Sequence, residues 1–173
     1  MSVDLGILAI RSLFGLAIAA HGAQKLFGWF GGYGLKGTGG FFEQLGFRPG
    51  VPFAAAAGLS EMGGGILLTL GFFTPFGSAA VLTSMLVAIV SVHLRNGFFA
   101  MSNGFELPFL YAVSAIGIGF SGPGAYSLDS WFGLVFLDQP NLVAGVLAAA
   151  FFGATVTLRS RRPVQAQASA ARG

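Results

Sequence analysis

Five apolar runs, each near the length of a bilayer-crossing helix, follow one another along this 173-residue chain. They cover residues 5–27, 52–71, 76–94, 107–120 and 142–158. About 20 mostly apolar residues are needed to cross the hydrocarbon core as a helix. The fourth run is short, and becomes adequate when Phe105 and Glu106 join it. Only 9% of residues are charged, against 54% hydrophobic, where a soluble domain carries about 25% charged residues. A polar surface cannot be built from so few charges, so lipid must solvate much of the chain. Gly and Pro punctuate the runs at residues 31–40, at Phe73-Thr74-Pro75 and at Gly122-Pro123-Gly124.

Charge gives the runs a direction. If all five cross in turn, eight of the nine Lys and Arg residues fall on one side: Lys25, Lys36, Arg48, Arg95, Arg159, Arg161, Arg162 and Arg172. The other side holds Asp4, Asp129 and Asp138. The positive-inside rule then predicts a cytoplasmic C-terminus and an N-terminus outside. The assignment depends on residues 142–158 being a fifth span, without which the tail would change sides. Ala17-Ile18-Ala19 resembles a signal-peptidase site, but no basic residue precedes the apolar stretch and Arg11 lies within it, so a retained helix is expected. Residues 165–173 read as a short flexible tail.

The net charge of +3 does not point to nucleic acid, because no basic stripe with interleaved aromatics is present. The excess sits beside the membrane, where anionic headgroups attract it. There is no cysteine. Disulfide exchange, thiolate nucleophiles and Cys-ligated iron–sulfur clusters are therefore excluded within this chain.

The polar residues inside the runs are the candidates for chemistry. His21 and Lys25 lie near the end of the first run, His93 and Arg95 at the end of the third, and Glu106 at the start of the fourth; alternation alone brings these ends together. Glu61 lies deeper, in the second run, and Arg11 farther still from that end. At about 100° per residue, Arg11 and Lys25 are roughly 40° apart and His21 is within about 80° of Arg11, so all three share a stripe. Such residues usually face a bundle interior or a wet cavity and pair with one another. The spacing makes Arg11, Glu61 and Glu106 buried ion-pair candidates, and His21, Lys25, Glu61, His93 and Glu106 ligand-binding candidates; no catalytic residue and no metal site stands out. Plainer roles compete with these. Lys25 and Arg95 could snorkel to the headgroups, Glu106 could answer a helix dipole, and the histidines could serve structural hydrogen bonds.

Two aromatic, glycine-rich loops, residues 28–50 and 96–104, border this end. Residues 41–45 could form one amphipathic turn in the interface. The loops read either as an aromatic belt or as a lid. Gly58, Gly63, Gly64 and Gly65 around Glu61 favour close helix packing in lipid.

Arg11…His21-Gly22-Ala23-Gln24-Lys25-Leu26 resembles the first-helix pattern of the DoxX family. Glu61-Met62-Gly63-Gly64-Gly65-Ile66-Leu67-Leu68-Thr69-Leu70-Gly71 is similar to its second. His93…Asn96-Gly97-Phe98-Phe99…Asn103-Gly104-Phe105-Glu106 resembles the third, and Gly122-Pro123-Gly124-Ala125-Tyr126-Ser127-Leu128-Asp129 the close. The likeness covers about residues 3–130. It implies an all-α transmembrane four-helix bundle in residues 1–130, to which this chain adds a fifth transmembrane helix within 131–160 and a basic flexible tail at 161–173. The resemblance also implies a bacterial cytoplasmic membrane location and an association with membrane redox chemistry, as in subunits of quinone-linked sulfur oxidation systems. It does not supply a reaction.

Three functions fit these residues. One is a redox-assembly subunit that binds a quinone or similar amphiphile at the cytoplasmic end, with electrons supplied by partner redox proteins. Another is an assembly subunit in which ion pairs merely hold helices together. The third is a transporter, against which stands the absence of an inverted repeat. A b-type haem between His21 and His93 is geometrically allowed but weakly indicated. The bilayer is the one certain partner, and a homo-oligomer is compatible with the pattern.

Overall fold

The structure, a computed structural model, describes residues 2–162. The predicted tail at 165–173, and Arg172 with it, lies outside the described residues. Those described form helices and turns, with no strand among them.

Helix α1 spans Ser2–Phe27, α2 Gly34–Gln44, α3 Gly50–Leu70, α4 Thr74–Ala88, α5 Glu106–Ser121, α6 Leu128–Trp131 and α7 Pro140–Arg159. A π-helical turn, Ile89–His93, and a 3-10 turn, Leu94–Asn96, prolong α4. With that extension α4 joins α1, α3 and α7 as the helices long and apolar enough to cross a membrane. The 16 residues of α5 rise only about 24 Å at 1.5 Å per residue. Phe105 immediately precedes the helix, and its carbonyl accepts from Phe109 N at 2.9 Å. Phe98, Phe99, Phe105 and Phe109 stack edge to face around this start, which adds apolar depth.

α3 lies between α1 and α4, and α4 packs in turn on α5 and α7. The four-helix core is thus α1, α3, α4 and α5, with α7 against the outer face of α4. α1 and α5 touch only briefly, which leaves a seam between them. Ile18, Leu68, Val81, Leu82, Ala115 and Val143 form the fully buried centre. Leu13, Leu16, Leu59, Val113 and Phe152 point outward and are well exposed, as lipid-facing residues should be.

Glycine sets the α1–α3 distance. A Cβ on Gly15 would lie 2.5 Å from Gly65 O, and one on Gly22 2.6 Å from Gly58 O. Both pairs repeat at seven residues, two helical turns, so the backbones touch along one line. This is the close packing expected around Glu61, although Gly63 faces open space.

The helix ends sort into two groups. The segment between α5 and α7, including α6, covers the starts of α1 and α4 and the end of α3. At the opposite end lie α2, the 97–104 loop and the last turn of α7. There Arg162 N donates to Gly46 O at 2.8 Å and Arg161 Nε to Leu45 O at 2.9 Å, with the Arg161 guanidinium over the Phe47 ring. The chain after α7 therefore shares an end with Lys25, Lys36, Arg48 and Arg95.

Candidate functional site

Four of the five ligand-binding candidates meet in one cavity of about 270 Å3. His21 and Lys25 enter from α1, Glu61 from α3 and His93 from the π-helical turn that extends α4. Met85, Leu107, Pro108 and Tyr111 provide its apolar wall, and Asn103 and Gly104 its loop side. The cavity occupies the seam where α1 and α5 hardly touch. His21 and Leu107 are exposed at its rim, while Lys25, His93 and Tyr111 are half-buried.

Lys25 Nζ donates to Glu61 Oε2 in a short ion pair. The Glu61 side chain is 4% exposed and that of Lys25 27%. A carboxylate so thoroughly removed from water requires a counter-charge, and the ammonium reaches it from the last turn of α1. The glycine contacts make this reach possible, because Gly22 and Gly58 let α1 and α3 approach within one turn of the pair.

His93 owes its place to the π-helical turn. One inserted residue in a helix rotates every side chain beyond it, and such turns are frequent at functional sites. Ring atom Nδ1 of His93 lies 2.9 Å from Asn103 O. His21 Nδ1 lies 3.2 Å from Gln24 Oε1, and its ring centroid is 6.0 Å from that of Tyr111.

Glu106 is not part of the cavity lining and meets no Lys, Arg or His among the described residues. Its Oε2 accepts from Ala100 N at 2.8 Å, and so fixes the 97–104 loop. Phe105 N to Gly97 O at 3.1 Å and Glu106 N to Phe98 O at 2.8 Å close the same loop. The ion-pair expectation for Glu106 is therefore corrected: a nearby backbone N–H, unmet at the start of its own loop, takes the carboxylate first.

Arg11 likewise departs from the expected pairing with Glu61 or Glu106. It lies at the opposite end, 1% exposed, and is surrounded by carbonyls. Nε donates to Pro123 O at 3.0 Å, Nη1 to Leu68 O at 3.2 Å and Thr69 O at 2.6 Å, and Nη2 to Tyr126 O. A guanidinium carries five donors in a fixed fork, which suits a ring of carbonyls better than one carboxylate. Asp129, 1% exposed, supplies the neighbouring negative charge. It accepts from Phe73 N at 2.8 Å, Thr74 N at 3.0 Å and Thr74 Oγ1 at 2.8 Å. It thereby caps α4 from a distant segment. Arg11 and Asp129 are structural, and they fasten the α5–α7 segment over the ends of α1, α3 and α4.

Sequence reasoning passed over Asn103, Tyr111, Met85 and the structural work of Asp129. The Asn103 signal was present, since asparagine tolerates positive φ and Asn103 has φ 58°. α2 was foreseen only as one turn; it runs for eleven residues despite its glycines because it lies against α3.

The chain is similar to an uncharacterised Haemophilus influenzae protein, 38% identical over 48% of this chain and 64% of the relative's length. An uncharacterised membrane protein of Mycobacterium tuberculosis is 30% identical over 71% of this chain and 78% of its own. The Bacillus subtilis protein named "Putative oxidoreductase CatD" is 27% identical over 81% of this chain and 94% of its own. No solved structure matches. The DoxX family model matches residues 6–94, just over half the chain and three of the four core helices, and the protein is a multi-pass membrane member of the DoxX family.

Proposed function

We propose that this protein is a subunit of a membrane redox assembly that binds a quinone or similar amphiphile in the His21–Lys25–Glu61–His93 cavity. The observation that supports this most is the convergence of two imidazoles, an ammonium and a carboxylate from three helices on one apolar-walled space. Ligand pockets usually measure about 300–1,000 Å3, so 270 Å3 suits a ring headgroup whose tail stays in lipid. The seam between α1 and α5 gives that tail a lateral way out. Lys25 can donate to a ring oxygen, and the imidazoles can exchange protons with it. Electrons pass between the bound ring and a partner protein, a role that fits the word oxidoreductase in the name of the Bacillus subtilis relative.

The basic end carries the site. Under the positive-inside rule it faces the cytoplasm of a bacterial inner membrane, with the N-terminus outside. Cysteine accessibility at Ser2 and Ser160 variants in intact cells tests that orientation. The site itself is tested with decylubiquinone and decylubiquinol, titrated onto purified protein in nanodiscs and weighed by native mass spectrometry. Saturable one-to-one binding of either form, lost in Lys25→Met/Glu61→Gln with helicity intact, is expected. Absence of binding to the wild type overturns the proposal.

A further inference from the structure

The hydrogen bonds of the two histidines have a fixed polarity. A backbone carbonyl only accepts, so the contact between His93 Nδ1 and Asn103 O at 2.9 Å requires the proton on Nδ1. In the neutral ring, Nε2 then carries the lone pair. Asn96 Nδ2 also donates to Asn103 O, at 3.1 Å, which holds that carbonyl in place. Glu106 secures the same loop through Ala100 N, at 2.8 Å.

His21 reaches the same state by a two-step relay. Gln24 Nε2 donates to Phe30 O at 3.2 Å. The reversed amide would set oxygen against oxygen, so Gln24 Oε1 is the atom that faces His21. Oε1 only accepts, and His21 Nδ1, 3.2 Å away, must donate. In both rings Nδ1 is occupied and Nε2 has no partner among the described residues. Glu61 adds a third acceptor in the same cavity. Lys25, engaged with Glu61, Tyr111 and the Asn103 side-chain amide are the donors there, and all can serve an oxygen in either oxidation state.

We infer that the cavity selects the reduced, dihydroxy form of its ring ligand, a hydroquinone, over the quinone, with His21 and His93 accepting from ligand hydroxyls through Nε2. The inference rests on the amphiphile-binding site proposed above and adds its chemical preference. A quinone has carbonyl oxygens only and would set acceptor against acceptor at both rings. A hydroquinone has two O–H donors. Sites built to accept from a ligand hydroxyl discriminate strongly against analogues that lack it. Because His21 is exposed, water relieves part of that penalty, and the expected preference is about tenfold. Gln24 is a positioning residue, since it sets the proton on His21 without touching the ligand.

The test compares decylubiquinol, kept reduced under argon, with decylubiquinone, each titrated at about pH 8 onto the full chain in nanodiscs. Decylubiquinol is expected to bind about tenfold tighter. Gln24→Leu, which frees the His21 tautomer, should lower that ratio to about threefold. 15N-selective NMR of the imidazoles gives a direct readout, with Nε2 unprotonated in both rings of the wild type and a mixture at His21 in Gln24→Leu. If decylubiquinone binds as tightly as decylubiquinol or tighter, the preference is refuted while the site stands. If neither binds, the site itself is refuted. Equal ratios in Gln24→Leu and wild type remove His21 from the mechanism.

Discussion

The Lys25–Glu61 pair yields the sharpest prediction because the two side chains are buried unequally. Removing one member of a buried pair costs about 3–5 kcal/mol, chiefly from the charge left behind. In Lys25→Met the residual charge is that of Glu61, 4% exposed, and it cannot move to water without disturbing the Gly22–Gly58 contact. With allowance for Lys25 being 27% exposed already, the expected loss is roughly 2–3 kcal/mol. In Glu61→Gln the residual charge is on Lys25, near the end of α1. It can snorkel outward, so the loss is about 1 kcal/mol. Lys25→Met/Glu61→Gln strands no charge and should lie within about 1 kcal/mol of the wild type. The sum of the singles then exceeds the double by roughly 2–4 kcal/mol, a coupling well above the error of such cycles. Reversible unfolding in mixed micelles of rising denaturing-detergent fraction, followed by fluorescence of Trp29 and Trp131, measures all four species. A double variant as unstable as the sum of the singles would refute the pairing. A double variant that is stable yet binds decylubiquinol like the wild type would make the pair purely structural.

Three further outcomes are expected from the rest of the fold. Asp129→Ala removes one side-chain and two backbone hydrogen bonds at the start of α4 and should cost about 3 kcal/mol; amide exchange at Phe73 and Thr74 should rise with it, and unchanged protection there contradicts the capping role. Burial, with the Asp129 charge as a lesser cause, raises the Asp138 carboxyl above its ordinary value of 3.8. The folded chain then holds this proton more tightly than the unfolded one, so its contribution to stability is complete below that value and falls as pH rises above it. Asp138→Asn should flatten the decline above pH 4 in the same unfolding assay, and an unaltered slope excludes Asp138 as its source. Gly46 has φ 94° and a Cβ there would lie 2.5 Å from Arg162 O; Gly46→Ala should release the segment after α7 at a cost of about 1 kcal/mol. Faster tryptic cleavage after Arg161 reads this out, and wild-type kinetics would oppose it.

The spans were legible because bilayer burial acts on every residue of a helix at once. Predicted ends at Leu5, Pro52, Phe76 and Leu142 lie within three residues of the observed starts. The gathering of His21, Lys25, Glu61 and His93 was legible for a similar reason, since alternation fixes which helix ends are neighbours. The partners of Arg11 and Glu106 were not. Periodicity gives the direction of a side chain, but Glu106 ended on a backbone N–H of an irregular segment, and Arg11 on carbonyls divided between such a segment and the last turn of α3. The carbonyls around Arg11 depend in part on the path of residues 122–126, which Gly122 and Gly124 route through φ 73°. That path is a tertiary property without a helical or strand period. The π-helical turn was equally hidden, because one extra residue in a helix leaves the apolar pattern of residues 76–94 intact.

One physical rule separates scaffold from site in this bundle. Buried polar groups must be paired, and the penalty rises as water is excluded. At the α6 end the rule is obeyed within the protein: Arg11 has carbonyls on all three guanidinium nitrogens and Asp129 has three donors. Those residues can be essential to folding and still have little left to offer a ligand. At the other end the same rule is left open. Each imidazole uses one nitrogen to set its tautomer, Lys25 uses one donor on Glu61, and these residues line one cavity. Such incompleteness persists only where something outside the fold can complete it. Arg11, the most buried cation among the described residues, is thus a fastener, and under the proposed function the exposed and half-buried groups around the cavity are the ones left to bind.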